Sequence, residues 1–316
     1  MCYKYGVRFP DKLQTSLAGI PLRNPIVAAA GTGGYVDELA DIFDLSQIGA
    51  VTTKSITRDA REGNAPWRII PTRAGMLNAI GLANKGLDRF LAEELPRVRA
   101  ARTVVIASVA GHTIEEYVAV AGALDASGEF RAIELNVSCP NTSTGRHFGA
   151  DAQTLREVII AVRAAVREAK LFVKLAPDMV DPIKMCAAAI DSGANGLVLC
   201  NTMPAMAIDV HTRRPRLSRG QGGLSGPAIH PIVVRIVHDV FKNVTRSAGV
   251  PIIGLGGVMN WEDAAELILA GATAVGMGTA LFVDPKSPCK VVRGLDRWAT
   301  QQGVTEISQL IGQVAS

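Results

Sequence analysis

Short apolar runs recur along the chain, each followed by a longer stretch in which apolar residues return every three or four positions. Runs of the first kind suit β-strands and stretches of the second suit amphipathic helices, so the alternation predicts repeated strand–helix units. Strands are expected at 26–30, 50–54, 104–108, 132–136, 171–175, 196–201, 251–255 and 274–277. Among the helices, 155–168 has helical spacing, and 264–269 stops before Gly271, a residue suited to a helix C-terminus. Eight such units with strands apolar along their whole length favour a (β/α)8 barrel; the period alone leaves an open doubly wound sheet standing. No linker, low-complexity tract or repeat divides residues 1–316, so one domain is expected. The connections 55–85, 137–151 and 202–223 are long, and loops of that length usually cover or build a site.

Composition changes this picture little. A hydrophobic share of 48% supplies a sizeable core, and a net charge of +4 without like-charge blocks gives no sign of nucleic acid. The first residues lack the apolar stretch of a secretory signal, and no run reaches the ~18 apolar residues of a membrane span. A soluble, cytoplasmic protein is expected. Five widely spaced cysteines (Cys2, Cys139, Cys186, Cys200, Cys289) argue against a disulfide framework and against metal or cluster ligation. No metal site is expected.

Chemistry in a barrel collects where the strands end at their C-terminal edge. That edge collects Gly31, Lys54, Ser108, Asn136, Lys174 and Asn201, then Gly256 with Gly257 and Gly278 with Thr279. Each has an ordinary explanation, and the coincidence is the signal. Glycine-rich turns after strands seven and eight expose backbone N–H groups that can hold a phosphate. A lysine within an apolar strand is costly unless it meets an anion, so Lys54 and Lys174 point to an anionic ligand. Cys139 precedes a proline in a polar loop, whereas Cys186 and Cys200 sit in helical and strand patterns that suit inert buried thiols.

Five segments carry a specific resemblance: NVSCPN at 136–141 with Phe148, Gly149 and Asp151; TKSIT around Lys54; GMLNAIGLANKG at 75–86; NTMPAMAIDV at 201–210; and GGLSGPAI at 222–229. They resemble the class 1 dihydroorotate dehydrogenases, and the pattern extends from about Leu17 to Leu281. Phe148-Gly149-x-Asp151 and Met206 to Asp209 are similar to the B-type enzymes, and Cys139 stands where the membrane-bound class 2 enzymes have serine.

The resemblance implies oxidation of dihydroorotate to orotate in pyrimidine biosynthesis, with Cys139 as the base that takes the C5 proton and FMN as the acceptor of the C6 hydride. It implies substrate contacts from Lys54, Asn78, Ala79, Ile80, Gly81, Leu82, Asn136, Asn141, Asn201 and Thr202. It implies FMN contacts from Ala30, Gly31, Lys54, Ser55, Ser108, Asn136, Lys174, Cys200, Gly226, Gly256, Gly257, Gly278 and Thr279. The chain departs from the B-type pattern at Ser108, usually asparagine, at Ala83, usually glutamine, and at Lys85, usually proline. A hydroxyl at 108 reaches less far than an amide, so a shortened flavin contact is expected there.

Reduced flavin must be reoxidised, yet no strand is followed by a G-x-G-x-x-G turn and no cysteines are spaced for an iron–sulfur cluster. B-type resemblance therefore implies a partner subunit with FAD and [2Fe–2S] that passes electrons to NAD, in a heterotetramer built on a homodimer of this chain. The alternative acceptor is fumarate, as in A-type relatives. Two other readings stay open: a dihydropyrimidine dehydrogenase-like flavin barrel and a non-catalytic flavin- or phosphate-binding barrel.

Overall fold

A computed structural model describes residues 11–138, 148–149 and 151–315. Eight parallel strands close into a barrel: β1 (Ile26–Ala28), β2 (Ala50–Thr52), β3 (Val104–Val109), β4 (Ala132–Asn136), β5 (Lys170–Leu175), β6 (Gly196–Leu199), β7 (Ile252–Leu255) and β8 (Ala274–Met277). Each strand pairs with the next and β8 closes on β1, with Val275 opposite Ile26. The eight expected strands all form. Those read at 26–30, 50–54 and 196–201 end two residues early as strands, although Ala29, Thr53, Cys200 and Asn201 still donate backbone hydrogen bonds to neighbouring strands.

One side chain per strand (Val27, Ala50, Ile106, Ala132, Phe172, Val198, Ile253, Ala274) packs in an inner cluster with Leu17, Ile20 and Leu22. Those three belong to a hairpin, Thr15–Leu17 and Ile20–Leu22, that plugs the barrel at the strands' N-terminal end. Gly196 makes room there, since a Cβ on it would stand 2.1 Å from the Phe172 ring. The alternate positions, such as Ile133, Leu135, Leu171 and Val173, face outward into the larger cluster with helix residues Val158, Ile159 and Val162. Both strand faces are therefore apolar, which is why the strands read as continuous runs.

Helices also follow the local chemistry. The helix read at 155–168 forms at Ala152–Ala165, its start set by Asp151, whose side chain accepts from the N–H groups of Gln153 and Thr154. It ends early because the Asp125 carboxylate accepts from the N–H groups of Arg167 (2.7 Å) and Ala169 (2.7 Å), drawing that turn off the helix. The second helix runs Trp261–Ala270, opened by a reciprocal Asn260–Asp263 cap and closed at Gly271.

Two of the long connections build a structure that periodicity gave no hint of. Strands Met203–Met206 and Gln221–Ser225 from the later connection pair with Gly75–Asn78 and Ile69–Thr72 from the earlier one, forming a four-stranded antiparallel sheet. This sheet carries Asn78 and the run to Gly223 to the C-terminal edge of the barrel. Of the third connection, 139–147 and 150 lie outside the described residues, and with them the candidates Cys139 and Asn141.

Candidate active site

Strand period lifts a second interior layer two residues beyond the apolar one: Thr52, Ser108, Glu134 and Lys174. Asn136 follows two residues further along β4, and Lys54 lies two residues past the end of β2. The interior of the barrel thus turns from apolar to polar toward one end, where the sequence placed its candidates.

At that end Asn136 is a hub. Its Nδ2 donates to Ser55 Oγ at 3.3 Å, and its Oδ1 accepts from Ser138 Oγ at 2.9 Å and Asn201 Nδ2 at 3.2 Å. Asn201 also donates to Ser138 Oγ at 2.6 Å and accepts from the N–H of Thr202. Three strand ends distant in sequence are joined by amides, which can meet a ring carrying alternating donors and acceptors.

Lys54 stands half-buried beyond β2, its backbone N–H held by the carbonyl of Gly34 at 2.9 Å. Among the described residues its ammonium has no hydrogen bond or ion pair. Burial pushes its pKa below the usual lysine value, Glu38 pulls it partly back, and Arg68 lowers it further. A desolvated cation with no close partner is a receptor for an anion.

Lys174 differs. It is buried in β5, and its Nζ lies 3.8 Å from Glu134 Oε1 in β4, also buried. Its charge therefore does not by itself demand a ligand, because the core supplies a counter-charge. Sequence reasoning missed Glu134, although a carboxylate inside the apolar run Ala132-Ile133-Glu134-Leu135, two residues before Asn136, was a visible signal. Ser108 donates to the same Oε1 at 2.9 Å and lies 2.9 Å from Ser55 Oγ, so its hydroxyl is engaged inside the barrel.

The segment 79–82 is pinned from both sides. Asn64 donates to the carbonyl of Ala79 (2.9 Å) and its N–H to that of Ile80, while Asn84 Nδ2 donates to Leu82 O at 2.7 Å. Asn78 Nδ2 donates to the Gly223 carbonyl, beside Thr202. Lys85, a departure from the family pattern, pairs with Glu93 and buried Glu94, and its N–H donates to the Tyr35 hydroxyl at 3.0 Å. The departures at 83 and 85 thus leave the segment 79–82 held.

The glycine turns also converge. A Cβ on Gly257 would stand 2.8 Å from the Gly226 carbonyl, and Thr279 Oγ1 donates to Ser225 Oγ at 2.7 Å. His230 Nδ1 lies 2.7 Å from the Gly256 carbonyl and fixes that turn. Beside them Gly31, at φ 84°, has nothing within 4 Å of where a Cβ would stand, and at Gly278 the nearest atom would be 3.7 Å away. Crowded backbone beneath open space is the form of a cradle, which suits the phosphate of a planar cofactor such as FMN. Ala30 lies in the turn beside Gly31.

Burial pushes the Cys186 thiol up to about 12, Cys289 up to about 11, and Cys200 well above its ordinary value. None of these three can act as a base near neutrality. Among the described residues no group of His, Cys, Asp and Glu could hold a metal ion, and no helix is long and apolar enough to cross a membrane.

The family model for dihydroorotate dehydrogenase matches residues 12–298. A Geotalea uraniireducens (strain Rf4) protein named dihydroorotate dehydrogenase B (NAD(+)), catalytic subunit, is 44% identical over 304 residues, covering 96% of this chain and 98% of the relative. A protein of Aquifex aeolicus (strain VF5) with the provisional name dihydroorotate dehydrogenase A (fumarate) is 43% identical over 301 residues, 95% of this chain and 97% of its own. The crystal structure of the Eimeria tenella enzyme with ferulenol superposes at a TM-score of 0.82 with 22% identity, covering 98% of this chain and 91% of that one, a likeness of fold. The match of a family model to nearly the whole chain, on a barrel whose polar end gathers the candidate residues, means that this chain belongs to the dihydroorotate dehydrogenase family.

Proposed function

We propose that the chain, as one FMN-binding barrel domain, oxidises dihydroorotate to orotate. The observation that carries this reading is the meeting of Asn136, Asn201, Ser138 and Ser55 in one hydrogen-bonded group at the barrel edge. FMN, when bound, supplies the acceptor for the hydride leaving C6. Gly226, Gly256, Gly257, Gly278 and Thr279 would hold its phosphate, and Ala30, Gly31, Ser55, Lys174 and Cys200 would surround the rest.

Cys139 takes the proton from C5, made acidic by the adjacent carbonyl. Lys54 holds the substrate carboxylate and is the cation nearest the charge that develops on the ring. Asn78, Asn136, Asn141 and Asn201 read the ring's amide edges, while Ala79 to Leu82 and Thr202 close over it. A substrate without the C6 carboxylate would leave Lys54 uncompensated in a half-buried place, which disfavours the dihydropyrimidine reading.

The purified chain is expected to bind FMN, and dihydroorotate is expected to bleach its visible flavin absorbance. Finding FAD instead, or no flavin after reconstitution, overturns the reading.

Electron transfer follows the B-type pattern in this reading, through an FAD and [2Fe–2S] partner to NAD, in a heterotetramer on a homodimer of this chain. Its support is the set of B-named relatives at 42 to 44% identity over nearly their whole length. The Aquifex relative keeps fumarate as the competing acceptor. With dihydroorotate and NAD, the chain alone is expected to turn over slowly and the chain with the partner quickly. Full-rate NAD reduction by the chain alone, or rapid turnover with fumarate to which the partner adds nothing, refutes the partner.

A further inference from the structure

Beneath the residues assigned to ligands lies a buried carboxylate that the proposed reaction does not use. Glu134 is 3% exposed, on the same face of β4 as Asn136 and one layer deeper. Bringing a carboxylate out of water is costly unless neighbouring groups compensate it. Here they are Ser108 Oγ at 2.9 Å and Lys174 Nζ at 3.8 Å, both on Oε1.

The hydroxyl contact has a direction. A carboxylate only accepts, so the single proton of Ser108 goes to Glu134. Across the 2.9 Å contact between the two serines, Ser55 must then donate and Ser108 accept. The Ser55 oxygen is left to accept from Asn136 Nδ2 at 3.3 Å, and Asn136 Oδ1 faces Ser138 and Asn201. The proton order thus runs Asn136 to Ser55 to Ser108 to Glu134, from the site down into the barrel.

Resting on the flavin reading above, we propose that Glu134 is a positioning residue: it compensates the Lys174 ammonium and, through Ser108 and Ser55, decides which edge of the Asn136 amide donates and which accepts. Two separable consequences follow. Neutralising Glu134 leaves Lys174 uncompensated below the flavin, which favours the more negative reduced form and raises the flavin's midpoint potential. Removing the Ser108 hydroxyl cuts the hydrogen-bond chain without changing any charge, so the amide loses its fixed sense and orotate binds less well, while the potential stays.

The test uses the chain loaded with FMN. Midpoint potentials are measured spectroelectrochemically for wild type, Glu134→Gln, Lys174→Gln and the double variant. Orotate dissociation constants are read from flavin absorbance for wild type, Ser108→Ala and Ser108→Thr. Glu134→Gln is expected to shift the two-electron equilibrium about tenfold toward reduced flavin, roughly 30 mV, and to have no such effect when Lys174 is already glutamine. Ser108→Ala is expected to weaken orotate about tenfold, with Ser108→Thr restoring most of it. An unmoved potential in Glu134→Gln, or the same shift in both backgrounds, overturns the proposal. If Glu134→Gln fails to fold or to retain FMN, the serine pair decides: wild-type affinity in Ser108→Ala overturns it. A wild-type chain that takes up no FMN overturns the functional reading itself and this inference with it.

Discussion

Replacing Lys54 by alanine is expected to weaken orotate binding by roughly 30- to 150-fold, about 2–3 kcal/mol, the lower part of the range for truncating one partner of a desolvated charge pair. The lower part applies because Lys54 is half-buried, so water screens part of its field. Lys174→Ala should cost less in orotate affinity, since Glu134 already stands 3.8 Å from that ammonium. The reverse ranking in flavin-monitored titrations would remove Lys54 from the carboxylate. Acidity adds a second signature. Burial first, opposed by Glu38 and aided by Arg68, holds the Lys54 pKa below the usual lysine value. An anionic ligand favours the charged form, so affinity is full below that lowered pKa and falls as pH rises through it. The fall should therefore begin at lower pH than an ordinary lysine would give, and should vanish in Lys54→Ala. Parallel pH profiles for wild type and variant would contradict the assignment.

The second large effect concerns the base. Cys139→Ser is expected to slow flavin reduction by dihydroorotate about 10²- to 10⁴-fold near neutral pH, the usual scale for losing a general base, while orotate binding stays largely intact. A serine hydroxyl is scarcely ionised where a thiol of pKa about 8.5 is partly thiolate. No other described cysteine can substitute, because burial holds Cys186 and Cys289 near 12 and 11 and Cys200 higher still. Stopped-flow absorbance gives the rate directly, and an unimpaired reductive half-reaction would free Cys139 of the role.

Both predictions combine a residue type legible in the chain with surroundings that are not. Lys54 and Lys174 look alike in sequence, each a lysine at the end of an apolar strand. They separate only in three dimensions, where β4 brings Glu134 to one and nothing among the described residues pairs with the other. Ser108 likewise reads as a shortened flavin contact. Its burial beside Ser55 and Glu134 gives it a second task, because the barrel brings residues 53 and 26 positions away against it.

Periodicity by itself determined the eight strands, since a parallel barrel covered by helices buries both strand faces and writes each strand as an unbroken apolar run. Local caps did the same for helix ends at Asp151, Asn260 and Gly271, whose side-chain and backbone preferences act within a turn. The motif residues Lys54, Asn78, Asn136 and Asn201 were legible as well, being polar exceptions at strand ends or in long connections. Only the tertiary structure decided that two of those connections would form one sheet, that Asp125 would end a helix 40 positions later, and that Glu134 would lie under the site. Strand pairing and buried charge compensation depend on which segments meet, and contacts between residues far apart in sequence leave no period for a local pattern to carry.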